Sequence, residues 1–174
     1  MRFAKVQRTD NGYFLDPRAY VDHLPTIRNL LPPGASSFAT DPSHFDFSSV
    51  RCVKDLRFLG ISLVDSGGQL SLEIRFAPNR FKHDAGLSIH YSDVTGISIE
   101  APPASRPVDV WPETRRLGDV QLDEILPHDS GCSHEIVMTG GSITVVSADL
   151  MAKWDDETDG DSAAQGTANS ESEA

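Results

Sequence analysis

The stretch Leu70-Ser-Leu-Glu-Ile-Arg-Phe76 decides the fold class. Leu70, Leu72, Ile74 and Phe76 share one parity, and Ser71, Glu73 and Arg75 the other. A period of two sends alternate side chains to opposite faces, so the stretch is a strand with one apolar and one solvated side. Purely parallel sheets are covered on both faces and read as unbroken apolar runs, so this alternation predicts an antiparallel sheet. The same rhythm runs on both sides of it. Upstream, Leu56-Arg-Phe-Leu-Gly-Ile-Ser-Leu-Val64 changes phase at Gly60, which predicts a β-bulge there. Asp65-Ser-Gly-Gly68 is the hairpin loop between the two. Downstream, Leu87, Ile89 and Tyr91 alternate with serine and histidine, and Ile97 and Ile99 with Ser98 and Glu100. The region from Leu56 to Glu100 therefore reads as a meander.

The rest of the chain adds pieces of the same kind. Leu117–Leu126 reads as a strand with Val120 and Leu122 inward and Gln121 and Asp123 outward. After a turn at Pro127–Gly131, a second hairpin follows over His134–Asp149, with Ile136 and Met138 on one arm, Ile143 and Val145 on the other, and Gly140-Gly141 at its tip. Near the N-terminus, Phe3–Val6 and Tyr13–Leu15 flank the turn dipeptide Asn11-Gly12. Asp16-Pro17 reads as the N-cap and first residue of a short helix whose stripe is Tyr20, Leu24, Ile27 and Leu31. Pro25 predicts a kink or a division into two, and Pro32-Pro33-Gly34 a stop. Residues 35–49 read as a loop, with His44 and Asp46 flanking the buried phenylalanines Phe38, Phe45 and Phe47.

These readings predict an all-β antiparallel fold, a sandwich or a partly open barrel in meander order, with a short helical segment near the N-terminus. The expected core is Leu70, Leu72, Ile74, Phe76, Leu87, Ile89, Ile97, Ile99, Leu122, Ile136, Met138, Ile143 and Val145. One β domain is expected over residues 1–154, and a disordered acidic tail over 155–174.

The chain has 174 residues and a net charge of −11. Seven of its 26 acidic residues lie between Asp155 and Ala174, leaving 19 against all 15 Lys and Arg. That end holds no aromatic residue and no aliphatic side chain larger than alanine, which is why it is expected to be disordered. A basic footprint for nucleic acid is missing, and the excess of acids would suit a basic protein partner. No apolar run approaches the roughly 20 residues of a spanning helix. The expected setting is a soluble cytoplasmic protein whose thiols, Cys52 and Cys132, stay reduced.

Candidate chemistry is sparse. His128, Cys132 and His134 form the densest cluster of zinc-type ligands, with His90 or His83 as a distant fourth, but their spacing matches no zinc motif. Cys132 and His134, two apart on a strand, sit about 7 Å apart, awkward for direct proton transfer. Asp119, Asp123 and Glu124 are carboxylates of the right type for glycoside chemistry, yet the parity places Asp119 and Asp123 in solvent. Gly140-Gly141-Ser142 is a hairpin tip, and Gly-x-Ser-x-Gly, phosphate-loop and dinucleotide patterns are absent. No cofactor is implied. In the proline-rich stretch 101–116, Trp111, Arg115 and Arg116 are of types enriched in binding hot spots, and are the candidates for partner contact.

The segments Cys52-Val-Lys-Asp-Leu56, Leu87-Ser-Ile-His-Tyr-Ser-Asp-Val94 and His134-Glu-Ile-Val-Met-Thr-Gly-Gly-Ser-Ile143 follow one another in an order that resembles small all-β bacterial proteins of unassigned function, some grouped with polymorphic-toxin immunity proteins. The resemblance implies a protein that binds another protein and blocks it. The leading expectation is thus a non-catalytic protein-binding module of immunity or inhibitor type. The alternative is a small-molecule- or zinc-binding β-barrel, an enzyme in one version, centred on His128, Cys132 and His134. A third is a structural oligomer in which an exposed edge strand pairs with a copy of itself.

Overall fold

In the computed structural model, residues 1–10, 12–101 and 116–155 are described. Strands β1 (Lys5–Thr9) and β2 (Gly12–Asp16) form a separate two-stranded antiparallel hairpin. Helices α1 (Arg18–Ile27) and α2 (Pro33–Ala39) follow. The main sheet holds β3 (Arg57–Ser66), β4 (Gln69–Ala77), β5 (Gly86–Glu100), β6 (Val120–His128), β7 (Gly131–Met138) and β8 (Gly141–Asp155). All pairings are antiparallel, in the spatial order β3-β4-β5-β8-β7-β6. The expected continuous meander is therefore two three-stranded meanders, joined by pairing β5 with β8, the last strand.

The sheet curls until its two edge strands touch at one end. Val120 donates its N–H to the Leu56 carbonyl at 2.9 Å, Asp55 donates to the Val120 carbonyl at 2.9 Å, and Phe58 donates to the Gly118 carbonyl at 3.3 Å. Arg57 and Asp119 form a β-bridge between them. Beyond these contacts the edges separate, so the barrel is open. Turn chemistry explains the tight hairpin between β3 and β4: Gly67 and Gly68 both have positive φ, 63° and 78°, the backbone that a two-residue turn matching strand twist requires. The expected bulge is present, with Leu59 the inserted residue between Phe58 and Gly60.

Both helices depart from the sequence reading. Asp16 still pairs with Lys5 in β2, so the helix cannot begin there; Pro17 is the N-cap, and the Asp16 carboxylate accepts the Arg18 N–H at 3.1 Å from one position further back. Pro25 lies inside α1 without dividing it, because only two residues remain before the helix ends. Tyr20, Leu24 and Ile27 are buried as expected, and Leu31 is buried beyond the helix end.

Pro32-Pro33-Gly34 begins a helix instead of ending one. Proline at the first helical position has the required φ and lacks only an N–H that would have no intrahelical partner. The next two N–H groups, of Gly34 and Ala35, donate to the Asp149 carboxylate of β8 at 3.0 and 2.9 Å. Gly34 permits this approach, since a Cβ there would lie 1.9 Å from the Leu150 carbonyl oxygen. The helix signal was hidden because its cap comes from a strand 115 residues away.

Most of the expected core is buried, with Leu70 only partly so. Ile97 and Ile99 are exposed, a correction. Pairing of β4 with β5 stops at Tyr91, β5 adopts a positive φ of 48° at Asp93, and its second half keeps β8 on one side only. Ile97 pairs with buried Val145 and Ile99 with buried Ile143, but lie past the covered area. The reading of β6 is corrected too. A bulge between Val120 and Leu122 breaks the alternation, and every residue from Val120 to Ile125, Gln121 and Asp123 included, is buried. One side of β6 faces the helices; on the other, Glu124 accepts the backbone N–H groups of Arg2, Phe3 and Ala4 at 2.5, 2.7 and 2.7 Å. Strand β8 extends through Asp155, one residue into the stretch assigned to the tail; residues 156–174 lie outside the described residues. No helix among the described residues is long and apolar enough to cross a membrane.

Candidate functional site

The densest polar arrangement is interior. Asp123 projects from β6 on the face it shares with Ile136 of β7, and its two oxygens take two histidines. His44 Nε2 lies 2.7 Å from Oδ1 and His134 Nε2 2.9 Å from Oδ2. His44 comes from the turns after α2, and its Nδ1 is 3.0 Å from the Phe38 carbonyl oxygen. His134 comes from β7, and its Nδ1 is 2.8 Å from the Tyr91 hydroxyl of β5. His44, Tyr91, Asp123 and His134 are all essentially without solvent contact.

Hydrogen-bond chemistry assigns the protons. A carbonyl oxygen only accepts, so His44 Nδ1 carries a proton. Burial alone would raise the Asp123 carboxyl, but the two imidazoles outweigh it and hold it well below the usual carboxylate range. An ionised carboxylate only accepts, so both Nε2 atoms donate to it. His44 is then an imidazolium with both protons placed. His134 is neutral, donating from Nε2 and accepting the Tyr91 hydroxyl proton at Nδ1. Burial pushes the Tyr91 hydroxyl up, which keeps that proton on the phenol. The network is complete, with no buried side-chain polar atom unpartnered among the described residues. It resembles a catalytic relay in composition, but its side chains are closed off from solvent. The interior space bounded by Asp123, His134, Leu56, Phe76 and Ile89 is about 10 Å³, about the least that could hold one water. What the network does is fasten the turn carrying His44, and α2 before it, onto the sheet.

A second arrangement lies at the surface, where two irregular segments, 41–56 and 78–85, are tied together. His83 donates from Nε2 to the Cys52 carbonyl at 2.9 Å while its Nδ1 accepts the Asn79 N–H at 3.1 Å. That is a neutral ring, consistent with burial pushing its pKa down. Lys82 donates to the Lys54 carbonyl at 3.1 Å and pairs with Asp55 at 3.3 Å; Arg51 pairs with Asp84 at 2.9 Å. Asp55 holds a positive φ of 72°. Burial opposes its ionisation, and the Lys54 and Lys82 ammonium groups more than offset that and lower its pKa. Asn79 organises the tip, its side chain accepting the Phe81 N–H at 3.1 Å and its carbonyl the Lys82 and His83 N–H groups. The result is a fixed loop presenting Phe81 at 100% exposure between Arg80 and Lys82. Exposed Phe47 and Val50 lie on the partner segment, with the Lys54 and Lys82 ammonium groups each 6.0 Å from the Phe47 ring centroid.

Comparison with family models, with curated proteins and with solved structures found no match.

The residues singled out from the sequence are dispersed. His128 is exposed beside a turn, its Nδ1 accepting the Ser130 N–H at 3.1 Å. Cys132 is buried, its Sγ 3.8 Å from the Ser147 hydroxyl, and burial raises its thiol pKa. His134 is committed to Asp123 and Tyr91. Among the described residues no group of three or more His, Cys, Asp or Glu side chains is placed to hold a metal ion. Cys52 and Cys132 are both free and buried. Arg116 donates to the Ala101 carbonyl at 2.7 Å; Trp111 and Arg115 lie outside the described residues. Asp46 is exposed and bound by Ser48, and Phe47 beside it is exposed where it was expected to be buried, a correction. His44 and Asp123 were underread: both are central to the buried network. Parity placed Asp123 in solvent, and only the bulge at Gln121 turns it inward. The exposed Phe81 was missed altogether. Its available signal was Asn79-Arg-Phe-Lys-His83, an aromatic residue between two cations in a turn.

Proposed function

We propose that this chain is a non-catalytic protein-binding module whose contact face is the joined pair of segments around Phe81. One observation carries this reading: a fully exposed phenylalanine on a loop held by the Asn79 turn, the His83–Cys52 bond and the Arg51 and Lys82 ion pairs. Burying such a ring gains about 1.5–3 kcal/mol. Presenting it from an already ordered loop removes part of the ordering cost of association. Binding residues concentrate on loops positioned by a rigid scaffold, whereas the four side chains of the polar cluster inside have essentially no solvent contact. The net charge of −11 favours the approach of a basic partner, and the mixed signs of Arg80, Lys82, Asp55 and Asp84 then orient it. An inhibitor of immunity type, acting by covering its target, is the specific form we favour.

The test is recovery of partners from extract of the source cells with wild-type protein and with Phe81→Asp. A partner held by the wild type, released by salt and lost with the variant supports the proposal. Equal recovery by both proteins, with the variant's unfolding midpoint unchanged, overturns it.

A further inference from the structure

We propose that His83 is a pH-sensitive latch on the loop that presents Phe81, closed while its imidazole is neutral and released when the ring takes a second proton. The latch regulates the contact face named above and rests on that reading for its consequence, while its chemistry stands on the ring alone. Loop 78–85 belongs to no helix or strand, so its shape depends on local bonds. Those bonds meet at two residues. His83 Nδ1 accepts the Asn79 N–H at 3.1 Å, and its Nε2 donates to the Cys52 carbonyl at 2.9 Å. The Asn79 carbonyl accepts the N–H groups of Lys82 and His83 at 2.9 and 2.8 Å, and its side chain accepts the Phe81 N–H at 3.1 Å. One ring thus closes the turn on itself and fastens it to the facing segment.

The two nitrogens do not tolerate protonation equally. The Cys52 carbonyl accepts from a neutral or a charged ring, so that bond survives. A backbone N–H only donates, so Nδ1 must offer it a lone pair. A proton on Nδ1 sets two donors against each other and breaks the Asn79 bond. Burial disfavours the charged ring and pushes the His83 pKa below the ordinary value of about 6.5. The Lys82 ammonium acts in the same direction, and the Asp55 carboxylate and the Cys52 and Lys54 backbone oppose it. Asp55 is held by Lys54 and Lys82, and Asp84 by Arg51. From β8, Trp154 stacks on the ring with centroids 6.3 Å apart, and its neighbours Lys153 and Asp155 pair with each other at 4.0 Å. Arg57 of β3 donates to the Pro78 carbonyl at 3.2 Å. The cations Arg51, Lys54, Arg57, Lys82 and Lys153 outnumber the carboxylates Asp55, Asp84 and Asp155, so a charged ring finds little compensation. His83 keeps 8% exposure, against 2% for His44 and 1% for His134, and is the buried histidine nearest to solvent. Its folded pKa lies below the unfolded one, so the closed turn is fully stable above about pH 6.5 and loses that stability as pH falls through the folded value. Opening frees Phe81 from its fixed presentation and restores the ordering cost of association, so the face releases its partner in acid.

Amide hydrogen exchange of the full chain, resolved by residue and corrected for the intrinsic rate at each pH, tests this. Between pH 7.5 and pH 5 the protection of the Asn79, Lys82 and His83 amides should fall by roughly tenfold or more. The amide of Ile74, in the strand paired on both sides, should keep its protection. In His83→Gln the amides at positions 79, 82 and 83 should show no such step, because the side-chain amide does not titrate. Titration of the His83 ring by nuclear magnetic resonance should share the midpoint of the exchange step, which keeps the test decisive if that variant does not fold. Wild-type protection that stays flat, a fall shared equally by Ile74, a ring midpoint apart from the exchange step, or the same step in folded His83→Gln overturns the proposal. Partner recovery plays no part in this measurement, so failure of the latch is distinct from failure of the Phe81 face.

Discussion

Replacing Asp123 with alanine should destabilise this protein severely, and replacing it with asparagine should not. Asp123 accepts from His44 at 2.7 Å and from His134 at 2.9 Å, with all three side chains buried. Alanine leaves the His44 ring with a donor and no acceptor, and His134 with an Nε2–H that nothing satisfies. Removing one partner of a buried ion pair costs about 3–5 kcal/mol, against a total stability of about 5–15 kcal/mol for a domain. Asparagine has the same shape and can rewire the site. Its carbonyl oxygen accepts from His134, and its amide donates to His44 Nε2 once that ring is neutral, because Nδ1 keeps its proton for the Phe38 carbonyl. Two charge-assisted bonds become two neutral ones, a loss of about 1–1.5 kcal/mol each. The penalty of burying charge disappears at the same time, so the net cost should be about 1–2 kcal/mol. Urea unfolding, with the slope m unchanged, measures both variants. The sign with pH follows. The Asp123 pKa is depressed in the folded state, so its contribution is complete above the unfolded value of about 3.9 and is lost as pH falls through the folded value. Wild type should therefore lose stability as pH falls below about 4. An alanine variant within about 1 kcal/mol of wild type, or an asparagine variant as damaged as alanine, would refute the reasoning.

Four further outcomes follow from the packing. Tyr20→Phe should cost about 1–3 kcal/mol in urea unfolding, because the hydroxyl donates to the Ile125 carbonyl at 2.6 Å and accepts the Ile125 N–H at 2.9 Å at the edge of β6. Gly34→Ala should be more damaging than its size suggests, since a Cβ would lie 1.9 Å from the Leu150 backbone oxygen. Asp149→Ala should cost about 1–2 kcal/mol by removing the acceptor of the Gly34 and Ala35 N–H groups, and the thermal midpoint would register both. Cys52 and Cys132 should react with a thiol reagent only as fast as the protein unfolds, both being buried and the Cys132 thiol raised in pKa by that burial; rapid labelling of native protein would count against the packing described.

The legible and illegible parts of the sequence divide along one physical line. Alternation is a local property, and it located β3, β4, β5, β7 and β8, along with the Phe58/Gly60 bulge and the Gly67-Gly68 turn. It failed where a strand is covered on both sides. The six residues from Val120 to Ile125 are all buried, so no parity survives to be read, and the bulge at Gln121 hides the inward turn of Asp123. It also misplaced Ile97 and Ile99, because alternation says which face a residue takes and nothing about how far the opposite layer reaches. The start of α2 was illegible for a related reason: its cap is Asp149, over a hundred positions away, and prolines that normally punctuate a helix here begin one. The strongest polar cluster combines His44, Tyr91, Asp123 and His134 from four separate segments, none carrying a motif. His128, Cys132 and His134 looked like a site because they are close in sequence. Yet a strand directs Cys132 and His134 inward and leaves His128 outside at the turn. Ionisable groups that matter in a β-fold are neighbours across strands, not along them, as the pairing of Ile125 with His134 and of Asp123 with Ile136 makes concrete. The same logic points to the surface for function. The four-segment cluster is sealed and fully satisfied, so changing it alters stability, whereas Phe81 is fully exposed, so substituting it tests the proposed contact face without disturbing the core.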